Sequence, residues 1–242
     1  MSRVALFVPC FVDQLYPHVA VAALRVLERL GVHVAVPEGA ACCGQPPANA
    51  GFEHDAERAL ARFVRTHEPY ERIIVLSGSC ALHVRLHAAS GVAARTTEFC
   101  SFLHDEIGVD AVAALGAEFP HRVGLHIGCH GLRGLGLARP SEVQGPAWNK
   151  VRALLETVHG LTFAELARPD ECCGFGGTFA VAEPAISAKM GRDRLADYTA
   201  ARAEVLVSTD VSCVMHLAGL ASRSGTVLAT RHVAELLAGA AT

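Results

Sequence analysis

The chain has 242 residues, enough for one large domain or two small ones with a buried core. Hydrophobic residues make up 51% of the chain and charged residues 19%, a balance that excludes a disordered protein. The formal net charge is −3 and no long basic run occurs, so nucleic acid is not expected as a partner.

The first half of the chain alternates apolar strands with amphipathic helices. Residue spacing predicts a strand, a helix, a strand, a helix and a strand at residues 4–8, 19–30, 32–37, 56–64 and 73–76. Gly31 is expected to end the first of these helices. The first apolar run is too short for a signal peptide or a membrane span, and no other run is long enough. We therefore predict a cytoplasmic protein with no transmembrane segment.

The second half repeats this alternation. Apolar residues predict strands at 123–127, 161–166 and 205–208, and helical spacing predicts helices at 148–158 and 186–195. Continuously apolar strands joined by amphipathic helices are typical of parallel sheets with helices on their faces. The predicted fold class is α/β, with two similar Rossmann-like halves whose parallel sheets are flanked by helices.

Four landmarks recur in the same order and indicate an internal duplication. Three landmarks are a strand that ends at a cysteine, a Cys-Cys-Gly motif and a strand followed by a cysteine, and the fourth is the stretch 96–103, which aligns with 230–237. The offsets between the copies are 119, 130, 133 and 134, measured at Cys10/Cys129, Cys42/Cys172, Cys80/Cys213 and Phe99/Val233. The seam falls near residues 116–120, which predicts an N-terminal cysteine-rich domain at 1–118 and a C-terminal one at 119–242.

Eight of the nine cysteines belong to this repeat, and in a reducing compartment they point to metal or redox chemistry rather than disulfides. They follow strand ends, where parallel α/β sheets bind ligands, so each half should gather four thiols at one rim. The intervening gaps of 31 and 36 residues, and of 42 and 39, are too wide for a zinc finger or a compact ferredoxin motif. Cys100 lies outside the pattern, among apolar residues, and is expected in the core.

Adjacent cysteines suit a cluster with several metal atoms better than a single tetrahedral ion. Gly44 and Gly174 would let the chain turn tightly, and Gly176 and Gly177 would allow the close approach of a bulky cofactor. Soft thiolates favour iron–sulfur clusters or zinc. We predict an iron–sulfur cluster, with zinc or a thiol–disulfide site as the alternatives. The predicted ligands are Cys10, Cys42, Cys43, Cys80, Cys129, Cys172, Cys173 and Cys213.

The duplicated pattern and four stretches, residues 44–46, 77–80, 171–179 and 210–213, carry a family resemblance. They resemble the cysteine-rich iron–sulfur oxidoreductases that include the B subunit of heterodisulfide reductase, and within them the lactate-utilisation A family. The resemblance covers nearly the whole chain. It implies an electron-transfer subunit of a system oxidising L-lactate, a small hydroxy acid, to pyruvate, with at most one cluster of the 4Fe–4S type in each half. It also implies a ferredoxin-like iron–sulfur partner and a third small subunit.

The chain departs from the heterodisulfide reductase pattern, which ends each half in Cys-x-x-Cys. The first cysteine of that pair is Ser77 in one half and Asp210 in the other. Either four thiolates hold the group, or an oxygen of Ser77 or Asp210 adds a ligand. A heterodisulfide-reductase-like thiol–disulfide oxidoreductase and a zinc-stabilised scaffold subunit remain the alternative functions.

Three residues around Cys129 are candidate catalytic residues: His126, His130 and Arg133. Histidines can move protons, and an arginine suits a bidentate contact with the carboxylate of a hydroxy acid. The alternative is a local hydrogen bond for His126 and a solvent-facing Arg133. Three further histidines follow the last cysteine of each half and either donate to cluster sulfur or serve the local structure: His83, His87 and His216.

Overall fold

The computed structural model describes residues 3–39 and 42–239. Residues 1, 2, 40, 41 and 240–242, which include both outer ends of the predicted domains, lie outside the described residues. In the described part, two four-stranded sheets have the orders β2-β1-β3-β4 and β6-β5-β7-β8, and all their strand pairs are parallel. The strands are β1 Val4–Phe7, β2 Val34–Ala35, β3 Arg72–Val75, β4 Thr96–Glu98, β5 Arg122–His126, β6 Thr162–Phe163, β7 Val205–Ser208 and β8 Ala229–His232.

Helices connect and cover the strands, and the predicted α/β fold of two similar halves is confirmed. In the described part of the chain, π-helical turns occur at Leu103–Ile107, directly after α7, and at His130–Gly134, after β5. Among the described residues, no helix is both long enough and apolar enough to cross a membrane. The helices are α1 Cys10–Leu15, α2 Pro17–Arg29, α3 Gln45–Asn49, α4 Glu53–His67, α5 Gly78–His87, α6 Ser90–Arg95, α7 Phe99–Phe102, α8 Val109–Ala113, α9 Lys150–Leu155, α10 Phe179–Ala182, α11 Pro184–Ala200, α12 Val211–Ser224 and α13 Val233–Leu237.

Helix α2 illustrates how local sequence sets an element. Its apolar stripe, which includes Val19, Val26 and Leu27, is buried. Gly31 has a φ of +75°, and the amide of Val32 donates to the carbonyl of Leu27 at 2.8 Å. This left-handed C-terminal turn satisfies a free helix carbonyl and confirms that Gly31 ends the helix.

Three predicted elements are shorter than expected. The strands predicted at 32–37 and 161–166 form only at Val34–Ala35 and Thr162–Phe163, and the helix predicted at 148–158 forms only at Lys150–Leu155. The Asn149 side chain accepts a hydrogen bond from the amide of Arg152 at 2.8 Å and so caps α9 at its start. Trp148 precedes that cap, where its carbonyl accepts from the amide of Arg139, so its predicted place in the helix is wrong.

The largest apolar core lies between the two halves. Helix α2 of the first half packs against α13 of the second, and α9 of the second half packs against α7 of the first. Smaller cores lie on the other face of each sheet, under α4 and α5 in the first half and under α11 and α12 in the second. Cys100 is fully buried in the shared core, as predicted. Because the halves share this core, their boundary at residues 118 and 119 stays a proposal rather than a visible gap.

Candidate metal centre

Four of the predicted ligands lie where a central strand ends and a helical segment begins. Cys10 opens α1 after β1, and Cys80 lies in the first turn of α5 after β3. Cys129 precedes the second π-helical turn after β5, and Cys213 lies in the first turn of α12 after β7. The parallel strands therefore bring these cysteines to the carboxyl edge of each sheet, because the strands of a pair end on the same side.

The two Cys-Cys-Gly loops are packed so closely that only glycine fits their third position. Gly44 has a φ of +96°, and an added Cβ would lie 2.6 Å from the carbonyl oxygen of Ala56 in α4. Gly174 has a φ of +88°, and its Cβ would lie 2.6 Å from the carbonyl oxygen of Ser187 in α11. Both the left-handed backbone and the contact exclude a side chain. The first loop is thereby held against α4 and the second against α11.

The thiols of the first half contact one another. The Sγ atoms of Cys43 and Cys80 are 3.0 Å apart, and the amide of Gly44 donates to Cys42 Sγ at 3.4 Å. Hydrogen bonds from the thiols of Cys10 and Cys43 lower the pKa of Cys42, and that shared proton raises the pKa of Cys10. Such a group holds a thiolate at Cys42, the form in which cysteine binds metals.

The second half repeats these contacts. The amides of Gly174 and Phe175 donate to the Sγ atoms of Cys172 and Cys173 at 3.4 and 3.5 Å. A hydrogen bond from the Cys129 thiol is the largest cause of the lowered pKa of Cys172, and a hydrogen bond to Cys172 raises the pKa of Cys173. The predicted ligands of each half therefore form one connected group of thiols.

The two groups face a common cavity of about 380 Å³. Both halves line it, and Phe11 and Phe175 meet across it edge to face with ring centroids 5.7 Å apart. Gly176 and Gly177 lie on its wall with φ values of +56° and +67°, and an added Cβ at Gly177 would meet no atom within 4 Å. Seven of the eight repeated cysteines line the cavity, namely Cys10, Cys43, Cys80, Cys129, Cys172, Cys173 and Cys213.

Ser77 and Asp210 contact each other across the halves. Ser77 Oγ lies 3.2 and 3.3 Å from the two carboxylate oxygens of Asp210. The amide of Ser79 donates to Asp210 at 3.1 Å, and the hydroxyl of Ser212 donates to it at 2.9 Å. Both side chains are buried, and both precede the helix that carries the last cysteine of their half. The residues that replace cysteine in the resembled pattern thus join the two halves.

The three candidate catalytic residues lie in different surroundings. His130 lines the cavity and its Nδ1 is 3.9 Å from Cys129 Sγ. Arg133 is half-exposed and paired with Glu142, with 2.6 Å between Nε and Oε1. His126 is only 1% exposed, and burial followed by the nearby Arg194 charge lowers its pKa to about 3. Their roles in substrate binding or proton transfer stay predictions.

Two of the histidines that follow the last cysteine of each half, His83 and His216, lie close to the Cys-Cys-Gly loops. An added Cβ on Gly44 would lie 3.2 Å from His83 Nε2, and one on Gly191 would lie 3.0 Å from His216 Nε2. Neither Nε2 has a hydrogen-bond partner among the described residues. His87 lies farther along α5 and contacts the ring of His83, with 4.7 Å between centroids.

Sequence reasoning missed Arg194 of α11, a fully buried arginine beneath the second group. It donates to the carbonyls of Arg168 and Pro169, to Asp197 at 3.2 Å and to the hydroxyl of Tyr198 at 3.1 Å. One signal could have indicated its burial. Arg194 lies on the face of α11 that packs against the core, where an amphipathic helix normally has small or apolar residues.

The donor chemistry of both groups fits a metal or iron–sulfur cofactor. Thiolates are soft ligands, and backbone amides directed at their sulfur atoms stabilise the charged form. In the second half, ligand atoms of His126, Cys173 and Cys213 all lie within 4.8 Å of one another. A donor set of this kind excludes magnesium and calcium, which require oxygen ligands.

Comparison with known proteins agrees with this chemistry. A family model described as "Cysteine-rich domain" matches residues 4–85 and 123–218. The chain is 35% identical to lactate utilization protein A of Bacillus subtilis (strain 168), over 97% of this chain and 98% of that protein. It is also 35% identical to lactate utilization protein A of Exiguobacterium sp. (strain ATCC BAA-1283 / AT1b), over 98% of this chain and 97% of the relative. The chain therefore belongs to the cysteine-rich domain family and, within it, to the lactate utilization protein A family.

Proposed function

We propose that this chain is the iron–sulfur electron-transfer subunit of a system that oxidises L-lactate to pyruvate, with at most one cluster in each half. The relatives carry the name lactate utilization protein A, which supplies the substrate class. All of the cysteines that bind the metal groups must stay reduced, which suits a cytoplasmic location. The proposed partners are a ferredoxin-like iron–sulfur subunit and a third small subunit.

One observation carries the proposal: thiols of both halves face the same cavity, three from the first group and four from the second. Oxidation of a hydroxy acid removes two electrons, whereas iron–sulfur centres pass single electrons. Two single-electron centres beside one another can together accept the two electrons, which a single centre cannot. Their common cavity gives both groups the same access to a reactant or an electron-transfer partner.

The residues of the chain have separate tasks in this proposal. The eight repeated cysteines hold the metal groups, and the amides of Gly44 and Gly174 stabilise thiolate charge. The cavity lining is mostly apolar around Phe11 and Phe175, which limits access of water to the thiols. His130 lies on that lining, where its imidazole is placed to exchange a proton with a bound hydroxy acid.

Anaerobic reconstitution tests this proposal. The full chain is loaded with iron and sulfide, and iron, acid-labile sulfide and zinc are measured per chain, with EPR spectra of the oxidised and reduced forms. We expect iron and sulfide in both halves, and reduction by L-lactate only after the partner subunits are added. Zinc without sulfide would contradict the proposal and leave the zinc-stabilised scaffold. Iron–sulfur centres that lactate never reduces, with all partners present, would exclude the lactate system.

A thiol–disulfide oxidoreductase is the second candidate, and the contact between Cys43 and Cys80 favours it. Their Sγ atoms are 3.0 Å apart, close enough for a disulfide to form after a small movement. A disulfide reductase would show a reversible loss of two titratable thiols and would reduce a mixed disulfide without lactate. The lactate subunit should show neither property when its clusters are loaded.

A further inference from the structure

We propose, on the basis of the metal group proposed above, that His126 supplies a nitrogen ligand to the group of the second half, together with Cys173 and Cys213. The ligand atoms of these three residues lie within 4.8 Å of one another. All three residues are buried, with His126 1% exposed. The second half would then hold a mixed thiolate and imidazole site, whereas the first half has Phe7 and no histidine at the corresponding position.

The hydrogen bonding of His126 indicates a missing partner. Neither ring nitrogen has a hydrogen-bond partner among the described residues. Burying a polar ring without such partners is costly, and the structure of a native protein normally provides them. Neutral imidazole is a common metal ligand, and a metal bound at one ring nitrogen would give that nitrogen the partner it lacks.

The corresponding residue of the first half shows that the position does not need a histidine for folding. Phe7 ends β1 as His126 ends β5. Phe7 is buried and packs edge to face against Phe63, with ring centroids 4.9 Å apart. The duplicated backbone therefore accommodates an apolar ring at this position. Folding alone does not explain the polar ring of the second half, whereas metal binding does.

Two charged side chains near the second group are engaged elsewhere. Asp210 accepts from Ser77, the amide of Ser79 and Ser212, which directs its carboxylate toward the contact between the halves. Arg194 offers only donors, and no hydrogen bond joins it to His126. His216 Nε2 also lacks a partner, but among the described histidine, aspartate and glutamate side chains only His126 places a ligand atom within 4.8 Å of both Cys173 and Cys213.

Pulsed EPR on the full chain, reconstituted with iron and sulfide, tests this ligand directly. Histidine is incorporated with either ¹⁴N or ¹⁵N, and nitrogen couplings are recorded on the reduced and oxidised forms. We expect a strong histidine nitrogen coupling in the wild-type chain and its loss in His126→Phe, which copies the first half. His126→Cys should restore the iron content of the second half without the nitrogen coupling.

His67→Phe is the matched control, because His67 is also buried, has an unpartnered Nε2 and lies in the first half. It should leave the coupling unchanged. A loaded wild-type second half without a histidine coupling, or a coupling that survives in His126→Phe, would overturn the inference. If the wild-type chain takes up no iron and sulfide, the proposed function fails. Cobalt(II) then serves as the probe: different visible spectra of wild type and His126→Phe support the ligand, and identical spectra refute it.

Discussion

The two halves carry the same arrangement of thiols on different supports. Behind the first group lie the aromatic rings of Phe7, Phe63 and His67, stacked or edge to face at centroid distances of 4.9, 5.6 and 4.1 Å. Behind the second group lie His126 and the buried guanidinium of Arg194. The duplication thus preserved the positions of the predicted ligands while the surroundings diverged.

This difference has an electrostatic consequence. A buried positive charge stabilises the more negative, reduced form of a nearby redox group, and low surrounding polarity weakens screening. Arg194 is fully buried and pairs with Asp197 at 3.2 Å, but its positive charge still acts on His126 beside the second group and lowers the pKa of that histidine. The described residues of the first half place no arginine in the corresponding aromatic layer. We expect the group of the second half to have the higher reduction potential and to be reduced first.

The largest expected effect comes from removing one thiol from each group in turn. Cys43→Ser should abolish the metal group of the first half, and Cys173→Ser that of the second, because serine is a poor ligand for soft metals. Each variant should lose about half of the iron and sulfide and one set of EPR signals, since the two groups are separate. Metal analysis and redox titration of the remaining signal then give each half its own potential.

Cys100→Ala is the matched control for these two variants. Cys100 is buried in the shared core, away from both groups, and its counterpart in the duplication is Ala234. The control should keep all of the iron. A complete loss of metal from either single variant would instead mean that the eight thiols share one group.

The next largest effect concerns the polar support of the second half. Arg194→Met leaves Asp197 buried without its cation and removes the contacts that hold the loop at Arg168 and Pro169. Loss of one partner of a buried pair costs about 3–5 kcal/mol, so urea unfolding should show a drop of that size. The variant should also lower the reduction potential of the second group while leaving that of the first unchanged.

Lys189→Met on the same helix controls for the loss of a positive charge. Lys189 pairs with Asp193 at the surface, and its side chain is 65% exposed. It should change neither the stability nor the potential measurably, because exposed pairs contribute little. An equal fall of both potentials in Arg194→Met would show that the charge does not distinguish the halves.

A smaller expected effect is the pH dependence of stability, which has opposite signs for one buried group in each half. Glu98 ends β4 and His232 ends β8, at corresponding places, and both are buried. Burial raises the pKa of Glu98 from 4.5 to about 7 and lowers the pKa of His232 from 6.5 to about 4. Stability from Glu98 is present below pH 4.5 and lost as pH rises to 7. Stability from His232 is present above pH 6.5 and lost as pH falls to 4.

Each group changes the unfolding free energy by about 3 kcal/mol, with opposite signs over most of this range. The contributions of Glu98 and His232 nearly cancel between pH 4.5 and 6.5. The wild-type slope there comes mainly from buried His126 and His83, whose pKa values are lowered to about 3 and about 4, so stability should rise with pH. Glu98→Gln should make this rise steeper, and His232→Asn should make it shallower. Urea unfolding at several pH values measures the slopes, and a wild-type slope equal to that of either variant would contradict the opposed contributions.

The position of the thiols could be predicted because it follows from chain order. Cysteines that follow β1, β3, β5 and β7 reach one edge of each sheet once the strands are parallel, and the Cys-Cys-Gly landmarks align the halves. The contact between Ser77 and Asp210 could not be predicted in this way. It joins residues 133 positions apart, and it depends on how α2 and α13 pack the two sheets together.

Arg194 and Trp148 show two further limits of sequence reasoning. A charged residue in a helix is normally read as exposed, and only the surrounding carbonyls and Asp197 make its burial in α11 tolerable. Trp148 fits the apolar spacing of α9, but the cap at Asn149 starts the helix after it. In both cases a specific hydrogen bond outweighs the apolar pattern.

The smallest expected effect tests the contact that joins the halves. Ser77→Ala removes the hydroxyl that lies 3.2 Å from Asp210 and accepts from the amide of Cys80 at 3.4 Å. Loss of a helix cap and one buried hydrogen bond should cost about 1–2 kcal/mol in urea unfolding. Ser212→Ala, which removes a hydrogen bond to the same carboxylate from within the second half, should cost less because both contacts across the halves persist. If Ser77 serves only as this contact, its variant keeps the full iron content. If the Ser77 oxygen is a ligand, the first half loses iron. The first half would then have an oxygen ligand, and the second half a nitrogen ligand from His126.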